Sequence, residues 1–138
     1  MIKWDSFLVI SQIQDLYNEG VNKLSIKFSQ YDNELVVENN KIVFVHNIRY
    51  VIEVNDTLIV LLEIPNNIRH LNNVFGIKRN GEIKWHIQSV GDVFPVKNQL
   101  PFDNLMANGT DVYVSDFYGR TFSFNPINGE ILSSDVVK

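Results

Sequence analysis

Asp111 to Leu132, DVYVSDFYGRTFSFNPINGEIL, reads as strand, turn, strand, turn, strand. Val112 and Val114 alternate with Tyr113 and Ser115, the period of two that gives a strand two unlike faces. Tyr118-Gly119 supplies a tight turn, and Thr121 to Phe124 resumes with Phe122 and Phe124 on one face. Pro126 to Gly129 punctuates again, because a glycine takes positive φ without a Cβ clash. Glu130 to Leu132 opens the next strand. This stretch fixes a mainly β, antiparallel fold class.

The chain working outward from it has 138 residues, which sets one domain, residues 1–138, as the expectation. A chain of this size buries roughly 68% of its unfolded surface, enough for a core without staples. Apolar residues make up 45%, which argues against disorder. There is no cysteine, so no disulfide framework and no thiolate metal site exists. The net charge of −4 disfavours direct nucleic-acid binding, since phosphate backbones demand a cationic face. The same charge suits a basic protein partner, and equally suits ordinary solubility. No apolar run is long enough for a transmembrane helix. The start, MIKWDSFLVISQIQD, lacks the basic region and cleavage signal of a secretory leader, so a cytoplasmic location is expected.

Residues 1–20 hold the one helical pattern. Ser11 suits an N-cap with Gln14 at the capping-box position, and Ile13, Leu16 and Tyr17 share a face. Gly20 stands where a C′ glycine ends a helix. Trp4 to Ile10 reads as a preceding strand or as part of a helix starting at Asp5. Beyond Gly20 the pattern is β. Leu24, Ile26 and Phe28 alternate with polar residues. Two-residue hairpin signals fall at Asn39-Asn40, between strands 34–38 and 41–45, and at Asn55-Asp56, between 48–54 and 57–64. LIVLLEI (Leu58 to Ile64) is apolar at nearly every position, the mark of a central strand covered on both faces. Residues 65–73 read as a loop. Asn80-Gly81 is the strongest hairpin signal, joining 74–78 to 82–88. Ser89 to Gly109 reads as a long connection packed down by its own apolar side chains.

VFGIKRNGEIKW (Val74 to Trp85) and TFSFNPINGEIL (Thr121 to Leu132) share a strand–Asn-Gly-Glu-Ile–strand pattern, so a hairpin unit repeats. With VYVSDFYG, this ending resembles the blades of PQQ-type β-propellers. Leu132 stands where the blade pattern prefers Trp, and the chain is too short to close a propeller of about four to eight blades. The resemblance implies an antiparallel meander with propeller-blade-like hairpins and one short N-terminal helix, not a closed propeller. No cofactor-binding residue of those propellers matches, so no cofactor is implied.

No nucleophile elbow, P-loop or dinucleotide fingerprint occurs, and no catalytic residue is assigned. His46, His70 and His86 lack metal-ligand spacing, so no metal is expected. Lys84 and His86 share a strand face opposite Trp85, which places Trp85 in the core and His86 at the surface. Residues 92–120 are the most suggestive. Asp92, Asp103, Asp111 and Asp116 stand against Lys97 and Arg120, among Phe94, Phe102, Phe117 and Tyr118. Rings supply buried area and carboxylates steer encounter, so Asp92, Phe94, Phe102, Asp103, Asp116, Phe117 and Tyr118 are the candidate partner-binding residues. The competing reading is a packed loop with solvated rims. Asp32, Glu34 and Glu38 form a second acidic group on a solvated hairpin.

IVLLEIPNN (Ile59 to Asn67), NVFGIKRNGEIKWHI (Asn73 to Ile87) and the NPINGEIL tail resemble the immunity proteins of bacterial contact-dependent growth-inhibition systems. The resemblance implies a non-enzymatic inhibitor that binds a cognate toxin's catalytic domain, a basic RNase or DNase, and covers its active site. A blade-like interaction module without inhibitory role is the second reading, and a small β-fold hydrolase the third.

Overall fold

Eleven antiparallel strands build the part of the chain that the computed structural model describes, residues 25–135. They form three sheets. The first holds β1 (Phe28–Tyr31), β2 (Glu34–Val37) and β3 (Asn40–Val43). The second holds β4 (Ile48–Val54), β5 (Thr57–Leu62), β6 (Val74–Lys78) and β7 (Ile83–His86). The third holds β8 (Phe102–Asn108), β9 (Asp111–Asp116), β10 (Thr121–Phe124) and β11 (Ile131–Ser134). Each sheet is a meander in chain order, and none closes into a barrel. The helix expected over residues 1–20 lies outside the described residues. Among the described residues no helix is long and apolar enough to cross a membrane.

The second sheet is the middle layer, and β5 shows why. All six of its residues are buried. Leu58, Val60 and Leu62 pack with Ile26, Leu35, Val37 and Phe44 of the first sheet's side. Ile59 and Leu61 point the other way, to Phe102, Leu105, Val112, Val114, Phe122 and Phe124 of the third sheet. Alternation along one strand therefore feeds two cores. This matches the expectation for LIVLLEI.

Trp85 pins the second sheet to the third. Its cross-strand partner is Gly76, and Gly129 of the β10–β11 turn lies on its other side. The indole Nε1–H donates to the Pro126 carbonyl at 2.9 Å. Gln88 reinforces the junction. Its N–H donates to the Gly129 carbonyl, and its side-chain oxygen accepts the Ile131 N–H. A second junction is built on Asn73, 3% exposed. Its Nδ2 donates to the carbonyls of Leu62 and Phe102, and its Oδ1 accepts the Phe102 N–H.

The repeat is real in three dimensions. In both β6–β7 and β10–β11 the Asn side chain accepts the N–H of the Glu two residues on, at 3.0 Å. Gly81 and Gly129 both take positive φ, 90° and 78°. Asn55 and Asp56 also take positive φ, as a tight two-residue hairpin requires.

Three expectations change. The single meander is three short ones. The β2–β3 hairpin turns at Glu38-Asn39, one residue earlier than read, with Val37 opposite Asn40. Asn40 belongs to the strand, where its amide reaches the Asn80 carbonyl of the next sheet. Finally, the long connection after Ser89 contains strand β8. A bulge between Phe102 and Asn104 puts its buried residues, Phe102 and Leu105, three apart, so the period of two was hidden.

Candidate functional site

The turn DFYGR, residues 116–120, is fixed by its own side chains. Asp116 Oδ1 accepts the N–H groups of Tyr118 and Arg120, and the Gly119 N–H closes on the Asp116 carbonyl at 2.9 Å. Gly119 makes the turn possible at φ +80°. Arg120 Nε donates to Asp116 Oδ2 at 2.8 Å, while its other two nitrogens donate to the carbonyls of Lys97 and Asn98. One guanidinium thus ties the turn to the loop before β8. Its flat face also sits 5.2 Å from the Tyr118 ring centre, within cation–π range.

This scaffold holds two aromatic rings out into water. Phe117 is 80% exposed and Tyr118 65%, with ring centres 6.2 Å apart. The rings flank an open groove of about 680 Å³. Residues 63–69, with Pro65 and Ile68, line it along with Pro101 and Asp103. Arg49 and Arg69 line the same groove as Glu63 and Asp103, so its rim is charge-balanced.

Of the seven candidate contact residues, Phe102, Asp103, Phe117 and Tyr118 line this groove. Asp92 is exposed on the short 3-10 turn Val90–Asp92 and does not line it. Phe94 is half-buried against the core between the second and third sheets. Phe102 and Asp116 are buried. Phe102 is 4% exposed, stacked edge-on to Phe122 in the core, and Asp116 is 5% exposed with its oxygens spent on the turn. Little of either side chain is exposed for contact. Asp111 begins β9 where Asp116 ends it, about 17 Å away at an ordinary strand rise, so the aspartates do not form one anionic cluster.

Arg120→Ala should lower stability by about 2 kcal/mol, because it leaves a buried carboxylate without its cation and two loop carbonyls without a donor. Amide exchange should quicken at residues 97–100 before it does in β9. Uniform acceleration across the third sheet would contradict this local role for the guanidinium.

Sequence spacing also missed a histidine pair. His46, after β3, and His70, in the loop after β5, bring Nε2 and Nδ1 to 2.7 Å, with ring centres 4.8 Å apart. Twenty-four residues separate them, so no local motif announces the contact. His86 behaves as read, at the surface, stacked flat on Phe75 and bonded to the Asn72 carbonyl.

Residues 25–136 match the model of a family described as a domain of unknown function (DUF7957). No curated protein matches the chain.

Proposed function

We propose that this chain, which belongs to the DUF7957 family, is a cytoplasmic immunity protein that binds the catalytic domain of a cognate toxin and covers its active site. The observation that supports this reading is the exposed Phe117–Tyr118 pair on a turn held by its own hydrogen bonds. The fold gains almost nothing from a phenyl ring that is 80% in water. An exposed aromatic pair on an already ordered turn beside a groove is what an interface hot spot needs, since little backbone entropy remains to be lost on binding. The groove's mixed charges suit a polar rim around that apolar centre.

The net charge of −4 acts at longer range, speeding the approach of a basic nuclease domain. Attraction and locking are therefore divided between the whole surface and the aromatic turn. Raising salt should slow association severalfold and leave dissociation nearly unchanged. Surface plasmon resonance at two salt concentrations checks this. A dissociation rate that rises steeply with salt would place the locking contacts on charge instead.

Co-expression with any toxin domain found encoded beside it tests the biological role, and the absence of one counts against it. Growth should be restored by the wild-type chain. Binding without rescue favours the second reading, a blade-like interaction module. The repeated hairpins and Trp85 set between Gly76 and Gly129 suit that module equally well.

A further inference from the structure

We infer that His46 and His70 form a binding site for a divalent transition-metal ion of the imidazole-preferring kind, such as Zn²⁺ or Ni²⁺. The inference stands apart from the proposed immunity role and needs no partner protein. Two ring nitrogens, His46 Nε2 and His70 Nδ1, face each other at 2.7 Å. Facing nitrogens this close share a single proton, one donating and the other accepting. Two tetrahedral ligands at a zinc–nitrogen bond of about 2.05 Å lie about 3.3 Å apart. The pair therefore needs to open by only about half an ångström to admit an ion. His46 is half-exposed and His70 exposed, each on a connection between strands, so side-chain rotation supplies that opening.

The proton between the rings must leave the metal's path. It moves to an outer nitrogen, His46 Nδ1 or His70 Nε2, so a neutral pair binds the ion with no net proton release. A protonated pair releases one, and acid competes with the metal. Among the described residues no third His, Cys, Asp or Glu joins the cluster. Water fills the remaining positions, which sets a modest affinity and leaves the ion open to further ligands. Imidazole ligands favour Zn²⁺, Ni²⁺ and Cu²⁺ over Mg²⁺, which demands oxygen. A bound ion would also tie the segment after β3 to the loop bearing Ile68 and Arg69, which lines the groove.

Calorimetric titration of the whole chain with Zn²⁺ and with Ni²⁺, with Mg²⁺ as the control, tests the site. One equivalent of Zn²⁺ or Ni²⁺ should bind, and Mg²⁺ should not. His46→Ala and His70→Ala should each weaken binding tenfold or more, the double variant no further, and His86→Ala not at all. Imidazole NMR on the wild-type chain gives a second readout that no variant's folding can disturb. Resonances of His46 and His70 should shift together while those of His86 stay. No binding of Zn²⁺ or Ni²⁺, binding that survives both single substitutions, or a shift confined to His86 would overturn the assignment.

Discussion

Gly76→Ala should cost about 3 kcal/mol or more, a large share of the roughly 5–15 kcal/mol that holds a domain of this size together. A Cβ at Gly76 would stand 2.5 Å from Trp85 Nε1 and 2.7 Å from Cδ2, closer than real side chains approach. The indole has nowhere to retreat. On its other face a Cβ at Gly129 would already lie 2.6 Å from Cε3, and the ring N–H is committed to the Pro126 carbonyl. The backbone of β6 or the whole third sheet must shift instead. Denaturant unfolding followed by tryptophan fluorescence measures the loss. A second substitution makes the cause specific. Trp85→Leu alone should destabilise by about 2–3 kcal/mol through lost burial, yet in the Gly76→Ala background it should cost far less, because it removes the clash. Strict additivity of the two changes would show that the glycine matters for some reason other than the ring.

Asn73→Ala should be of similar size, about 3 kcal/mol. Three buried hydrogen bonds vanish at once, and the Phe102 N–H and carbonyl lie in the core junction where water cannot replace the amide. Asn73→Asp is the sharper test. The carboxylate keeps an acceptor for the Phe102 N–H but turns an oxygen towards the carbonyls of Leu62 and Phe102, where a donor stood. Aspartate should therefore be at least as damaging as alanine despite its nearly identical shape. Thermal melts of both variants decide this. An aspartate variant as stable as the wild type would mean that shape alone matters at this position.

Both predictions concern side chains that seat the second sheet on the third, and those were the contacts that the sequence kept hidden. Within a sheet the sequence was legible. Asn55-Asp56 and Asn80-Gly81 announced their hairpins because few residues accept the backbone those turns require. LIVLLEI announced a strand buried on both faces because only such a strand lacks a polar side. Between sheets no such rule exists. Nothing local marks Asn73 as a buried bracket, and Phe102 was hidden by the bulge that follows it. Asp116 was misread although a signal was present. An Asp three residues before a Gly in a tight turn often bonds the backbone N–H two residues on. That pattern would have assigned Asp116 to the turn and left Phe117 and Tyr118 as the exposed pair. His46 and His70 had no signal, since a pair assembled from two separate connections obeys no spacing.

The fold that emerges has rigid seams and an exposed aromatic turn. Trp85, Asn73 and the Asp116–Arg120 turn lock the second sheet, the third sheet and the loop before β8 together. Phe117 and Tyr118 project from this framework, and the Tyr118 ring's contact with Arg120 is the tie their removal cuts, so the fold should lose little stability. Affinity of the chain for the basic nuclease toxin domain that the proposal requires, measured by calorimetry for the wild type and for the Phe117→Ala/Tyr118→Ala double variant, is the direct test. The proposed role predicts a tight wild-type complex, weakened at least about 30-fold in the double variant, with the melting temperature of the free protein lowered by no more than the loss of the Tyr118–Arg120 contact allows. A complex equally tight in both, or no complex at all, would contradict it.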